Sequence, residues 1–352
     1  MRPIVIGSLG LWMVGSTGCD VAGGSEPLSV VRDSAGISIV ESRGSMWRRG
    51  DGWRVSGAPE VVIGDRLDDP NYELFQVTDA VRLADGRLVI ANTGSKELRY
   101  YDATGAHLRN VGGEGGGPGE FEWIGWVAPL GRDSLIAWDS RLRRFSVFDL
   151  QGEFGRNATL GDKTYFADYL LSDGTIIAQE AVNMMMTGKM PEYEEGSQRS
   201  RVRHGIFAFT GEQIGEVGPF PGDEYWIDIA EHLHRWRRVF GLRTVRTVAD
   251  SIFWVGTGGS YTLDGYDRSG TLVARIRNLS YEPAPVVAGD VELWVEQTLE
   301  ELDPGMADHM RPYFESIPPP EMMPPYDKLV ADVEGNLWVE RYQRPQESTH
   351  VW

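Results

Sequence analysis

Histidine, cysteine and clustered carboxylates carry most hydrolytic and metal chemistry. The chain holds six histidines: His107, His204, His232, His234, His309 and His350. His232 and His234 stand two apart in a stretch whose apolar spacing predicts a helix. A two-residue step turns a helix by about 200°, so their side chains point apart, whereas residues three or four apart share a face. Neither an H-E-x-x-H nor a G-x-S-x-G order occurs. The single cysteine, Cys19, rules out a disulfide within the chain. Aspartates are plentiful: Asp79, Asp85, Asp102, Asp139, Asp149, Asp168 and Asp173. Those in "ADG", "SDG" and "YDATG" stand where an aspartate makes a turn by accepting a bond from its own backbone.

The stretch "GGEGGGPGEF", Gly112 to Phe121, raises the question of a phosphate loop. It lacks the Gly-Lys-Ser/Thr ending, and no spacing in it matches G-x-G-x-x-G. Strands are predicted on both sides, so no helix N-terminus follows to hold an anion. The expectation is structural. Glycines permit positive φ and close backbone approach where the chain crosses between sheets, and Phe121 packs at the crossing.

The elements that position these residues repeat. From Val77 the order is strand, "ADG" turn, strand, polar turn, strand, "DATG" turn, strand, each strand alternating apolar and polar residues. A second copy spans Trp126 to Phe154, and Gly105 recurs as Gly152, a step of 47 residues. Gly211 and Gly270 mark a third and a fourth copy, and Lys328–Tyr342 starts a fifth. A repeated four-stranded unit of this length reads as a β-propeller blade, whose two apolar faces are buried by its neighbours around a ring. Asp79 and Asp168 precede predicted inner strands, where they would face a central channel. Calcium, which takes oxygen ligands, is the metal such carboxylates would suit.

"GGEGGGPGEF…LIAWDSRLRRFSVFDLQGEF" resembles an NHL-type repeat, and the chain from about Asp33 is similar to bacterial six-bladed β-propeller lipoproteins of that group. The resemblance implies an all-β, six-bladed, NHL-like propeller over residues 33–352. Some six-bladed relatives are metal-dependent lactonases or lyases. No set of residues here matches their ligands, so no catalytic, cofactor or metal residue is carried over.

Two stretches break the blade pattern and predict helical insertions at about 220–240 and 286–325. In the first, Trp226, Ile229, Ala230, Leu233, Trp236 and Phe240 recur at helical spacing. In the second, helices are expected over about Asp290–Leu302 and Ala307–Ser316. Both insertions are expected over one mouth of the channel. The methionine-rich run "NMMMTGKMPEYEEGSQRSR" is expected to be an exposed loop. The strands "GISIVES" and "WRVSGAPEVVIG" are expected to supply part of a last blade, which leaves open whether the ring closes.

The N-terminus carries an address. Arg2 and the apolar run Ile4–Val14 have the layout of a signal peptide, and the run is shorter than the roughly 20 residues that span a bilayer. "GSTGC" resembles the lipobox of bacterial lipoproteins, with Ser16 where that pattern has leucine. The resemblance implies a signal peptide over 1–19, lipid on the Cys19 sulfur, a flexible tether over 20–32, and an envelope location facing the periplasm or the exterior. With 34 basic against 52 acidic residues and a net charge of −18, the chain lacks the basic surface that nucleic acid requires. Two functions stay open: a binding or scaffold module for a protein, peptide or glycan, and a metal-dependent hydrolase or lyase with its site in the channel.

Overall fold

The computed structural model describes residues 27–45, 57–66, 68–162, 164–181, 193–229 and 234–347. The protein is mostly β. The first strands, β1 (Ser29–Ser34) and β2 (Ile37–Ser42), form an N-terminal hairpin. Two four-stranded antiparallel meanders follow: β3 (Val77–Arg82), β4 (Leu88–Asn92), β5 (Glu97–Tyr101) and β6 (His107–Gly112); then β7 (Ile124–Leu130), β8 (Ser134–Asp139), β9 (Arg144–Asp149) and β10 (Phe154–Thr159). The third sheet is five-stranded: β11 (Tyr165–Leu170), β12 (Ile176–Glu180), β13 (Gly196–Phe207), β14 (Gln213–Asp228) and β15 (His234–Arg237). The fourth is β16 (Val245–Ala249), β17 (Ile252–Gly256), β18 (Thr262–Tyr266) and β19 (Leu272–Asn278). The last is the pair β20 (Tyr326–Ala331) and β21 (Leu337–Arg341). Among the described residues these are five sheets, and they do not show a closed six-bladed ring.

The recurring turn has one chemistry. Asp102 Oδ1 accepts from the backbone of Thr104 and Ala106, Asp149 from Gln151 and Glu153, Asp267 from Ser269 and Thr271, and Asp332 from Glu334 and Asn336. Three residues on stands a glycine with positive φ, which closes the hairpin without a Cβ clash. Asp85 and Asp173 make similar turns through the N–H of Arg87 and Thr175.

The core lies between the sheets. Leu98 and Tyr100 of the first sheet and Ile124, Leu135 and Phe148 of the second close around Phe121, which is fully buried. The expectation for Phe121 therefore holds. Successive first strands also pack on one another, β3 against β7, β11 against β16, and β16 against β20.

Three expectations need correction. The described residues of Asp223–Phe240 are not helical: β14 runs on to Asp228 and pairs with β15, Trp226 opposite Trp236, while Ala230 and Leu233 of the expected helix lie outside the described residues. Residues 224–227 also pair with β13, so their backbone groups are satisfied by a ladder. Glu224 and Ile227 are buried there, and aromatic residues suit a pleated surface. Sheet pairing overrides the helical spacing. Second, the N-terminal hairpin does not complete the last sheet. Strand β2 pairs in parallel with β19, Ile39 opposite Arg275, where the fourth sheet offers an open edge, and residues 57–64 form no strand. Third, Gly196–Arg201, taken as loop, belongs to β13, while the methionines at 184–186 lie outside the described residues.

The second insertion is helical as expected, with α1 (Ala288–Glu300) and α2 (Pro304–Ser316). Asp303 caps α2 by accepting from Met306 N, with Pro304 at the first helical position. The helices bury Val295, Leu299 and Met310 against each other and against Trp236 of β15. Their partner is thus the β14–β15 hairpin.

Candidate functional site

Most of the residues singled out for chemistry fall in separate places. His107 sits on β6, its Nε2 2.8 Å from Asn110 Oδ1 and its ring against Tyr101. His309 lies on α2 beside Tyr313. His234 is in a strand, while His232, His350 and Cys19 lie outside the described residues. Among the described residues no three of His, Cys, Asp and Glu come together as metal ligands would.

Two aspartates, one half-buried and one buried, serve the backbone. Asp79 Oδ2 accepts from Val127 N at 3.0 Å, which ties β3 to β7 of the next sheet. Asp139 is fully buried, and its two oxygens accept from the N–H groups of Glu122, Trp123, Arg141 and Leu142. Asn92 stands one repeat earlier and likewise accepts from Phe75 N.

The glycine-rich loop presents carbonyls. Arg144 donates to the oxygens of Gly116, Gly117 and Glu120 at 2.6–2.7 Å, and Glu120 accepts from Gly117 N. A loop whose carbonyls face a guanidinium has the opposite polarity to a phosphate cradle. A Cβ at Gly112 (φ 103) would meet the Phe121 ring at 2.8 Å, so that glycine lets the ring seat.

Asp168 is different. It is the unpaired residue of a bulge in β11, half-buried at the junction with β16. Burial raises its pKa to about 6, and the Arg246 cation opposes that rise only in part. One nitrogen of Arg246 donates to Gln179 Oε1 at 2.6 Å and to His204 Nε2 at 2.7 Å. That bond makes Nε2 the acceptor and places the ring proton on Nδ1, which has no hydrogen-bond partner among the described residues. Burial, then the Arg246 charge, lowers the His204 pKa to about 3. Its ring packs on Phe220 and Phe253. The cluster holds a neutral imidazole and a proton-accepting carboxylate at one inter-sheet seam.

A second feature has the shape of a ligand site. A cleft of about 380 Å³ opens between the end of β19, β21 and the Pro324–Pro325 return. Tyr261, Tyr281 and Tyr342 form its walls, with Arg341 and Glu347 paired at 2.9 Å across its rim. Tyr261 and Tyr281 lie 5.5 Å apart, ring to ring, and Tyr261 meets Tyr326 edge-on. Burial pushes the Tyr342 hydroxyl up to about 12 and raises those of Tyr261 and Tyr281. These phenols therefore stay neutral and act as donors and stacking surfaces. Arg344 is held below by Asp290 at the start of α1 and by Pro285 O. The helical insertion thus fixes one wall.

No family model and no curated protein matches the chain. Among solved structures it is similar to a protein of Bacteroides fragilis NCTC 9343 named as exported, at 14% identity over 79% of this chain and 68% of that one, TM-score 0.42. It is also similar to a DUF4221 family member from Bacteroides vulgatus ATCC 8482, at 13% identity over 56% and 57% of the two chains, TM-score 0.35. The hydrazine synthase of Kuenenia stuttgartiensis matches at 12% identity over 76% and 84%, TM-score 0.35. The chain spans little more than half the length of the DUF4221 protein. Likenesses of this size carry no functional argument.

Sequence reasoning marked Asp168 and His204 without joining them, and missed Arg246 and Gln179. His204, Arg246 and Gln179 lie on three strands, and no spacing links them. The cleft joins Tyr261, Tyr281 and Tyr342 from segments far apart in the chain, and nothing in the sequence flags it either.

Proposed function

We propose that this protein is a binding or scaffold module outside the cytoplasm, held at a membrane by lipid on Cys19, with its sheets set as blades of an NHL-like six-bladed propeller. Its ligand is a protein, peptide or glycan. The tyrosine-walled cleft beside β21 carries this reading. Its rings offer broad stacking area at low entropy cost, its hydroxyls add hydrogen bonds, and its volume is within the range of ligand sites. The repeats, and the packing of successive first strands on one another, support the propeller arrangement. The signal-like N-terminus supports the location.

The test is a screen of peptide and glycan arrays with the full chain and with Tyr281→Ala. Ligands that lose at least about tenfold in affinity on that change, roughly 1.4 kcal/mol, support the cleft. An absence of ligands, or ligands indifferent to the change, refutes it. Cys19→Ala releases the protein from the membrane fraction if the anchor is real.

The other reading is a metal-dependent hydrolase or lyase. One observation favours it: a carboxyl with a pKa near 6 can exchange protons at neutral pH. Calcium that raises the melting temperature of the full chain, with Asp168→Asn abolishing the rise, would support this reading over the first.

A further inference from the structure

The tyrosine-walled cleft has an uneven supply of hydrogen-bonding groups. Most of its side-chain acceptors are taken. Asn278 Oδ1 accepts from Ser280 N at 3.1 Å and from Ser280 Oγ at 2.8 Å. Glu347 Oε1 accepts from Arg341, and its Oε2 accepts from the backbone N–H of Arg344. The donors are open. The Tyr261 hydroxyl has no hydrogen-bond partner among the described residues, and that of Tyr281 reaches Met323 O only at 3.5 Å. Asn278 keeps its Nδ2 hydrogens, and Arg341 spends one nitrogen on Glu347, which leaves the rest of its guanidinium to donate.

These donors share one space. All four residues line the cleft, and the Tyr261 and Tyr281 rings stand 5.5 Å apart. Burial raises the pKa of the Tyr281 hydroxyl and the Arg341 charge opposes that rise, so phenol and guanidinium act on each other across the cleft. Glu282 is the exception among the acceptors: it lines the same cleft, is exposed, and has no partner among the described residues. Pro324 and Pro325 also line the cleft, so the chain's own pyrrolidine rings already sit among these tyrosines.

We infer that the cleft binds a proline-rich peptide in the polyproline II form, with an arginine or lysine beside the prolines. Proline has no N–H, and a polyproline II strand makes no internal hydrogen bonds. Such a strand offers carbonyl acceptors and asks for no acceptor in return, which matches the open donors of the cleft. A sugar differs, because each of its hydroxyls donates as well as accepts. With Asn278 Oδ1 and both Glu347 oxygens engaged, it finds few acceptors for its several O–H groups. The pyrrolidine rings pack on the tyrosine faces, and a preformed strand gives up little conformational freedom on binding. Glu282 takes the basic side chain. The inference rests on the reading of the cleft as a ligand site and names the class of its ligand.

The test is titration calorimetry of the full-length protein in detergent. The probes are oligoproline ending in arginine, the same peptide ending in glutamate, a glycine–serine peptide ending in arginine, and a malto-oligosaccharide. The arginine-ending oligoproline binds, and the glycine–serine peptide and the sugar bind at least about tenfold less. Tyr281→Ala weakens the oligoproline about tenfold, and Tyr281→Phe, which keeps the ring, about fivefold, the loss of one hydrogen bond. Glu282→Gln changes an exposed side chain, so the fold survives it. It weakens the arginine form about threefold and removes its advantage over the glutamate form. Glycine–serine peptide or sugar binding as tightly as oligoproline overturns the proposal, and loss of that binding in Tyr281→Ala would leave the cleft standing with another ligand. Oligoproline affinity indifferent to both Tyr281→Ala and Glu282→Gln overturns it by placing the peptide elsewhere. If no probe binds but an array ligand is lost in Tyr281→Ala, the ligand class is wrong and the cleft stands. If no probe and no array ligand binds, both fall.

Discussion

Replacing Asp168 by asparagine tests the account of the seam between β11 and β16. The folded carboxyl has a pKa near 6 against an ordinary 3.8. At pH 7 it is ionised in both the folded and the unfolded chain, and the fold bears the burden of a half-buried charge. The rise from 3.8 to about 6 corresponds to roughly 3 kcal/mol as an upper value. The Arg246 attraction is already included in that net rise. Asp168→Asn, which resembles the neutral acid in shape, should therefore stabilise the protein by up to about 3 kcal/mol at pH 7. Between pH 6 and 3.8 the folded wild type takes up a proton that the unfolded chain does not, so the gap closes and is gone near pH 4. His204 works in the opposite direction. Its folded pKa is lowered from 6.5 to about 3, so the unfolded chain binds the extra proton, and stability is lost as pH falls through that window. In the wild type the two effects oppose each other between pH 6 and 3.8. In Asp168→Asn the His204 loss is no longer opposed at this seam, and it contributes up to about 1.4 kcal/mol per pH unit. Urea unfolding of both proteins at pH 7, 6, 5 and 4 measures this. A variant less stable at pH 7, or a difference that does not change with pH, would refute the reasoning.

Other changes probe the frame. Phe121→Ala opens a cavity between the first two sheets and should cost about 3–5 kcal/mol, read as a lower urea midpoint with an unchanged slope. Asp139→Ala strips four backbone N–H groups of their buried acceptor and should cost at least about 3 kcal/mol, with Asp139→Asn recovering part of the loss, both by thermal melt. Gly112→Ala forces a Cβ against the Phe121 ring at positive φ and should destabilise by more than the roughly 1 kcal/mol of an ordinary glycine-to-alanine strain, by the same melt. Arg144→Ala frees three loop carbonyls and should speed amide exchange in residues 113–120 while leaving the β11–β16 seam protected.

The local architecture was legible because its causes are local. A D-x-x-G turn closes a hairpin through one aspartate and the glycine three residues later, so Asp102–Gly105 and Asp149–Gly152 announce their hairpins in any context. The helices α1 and α2 were legible as a break in the strand pattern, with α2 starting at Pro304, one turn before the expected Ala307. The stretch 223–240 misled for a physical reason. Its apolar residues sit at helical intervals, yet the end of β14 lies between β13 and β15, and pairing to both satisfies more backbone groups than a short isolated helix could.

The sequence by itself determined the strand-turn-strand repeat, the structural role of the glycine-rich run, and a strongly acidic composition. Each of these depends on neighbours within a few residues or on a sum over the chain. Tertiary structure alone decided where β2 attaches, which three tyrosines share a cleft, and that Asp168 lies beside the arginine bonded to His204, an imidazole that burial first and that charge second keep neutral. Those facts depend on burial and on contacts between distant strands. A carboxylate or an imidazole takes its chemistry from the charges and the solvent around it, and only the packed sheets supply those.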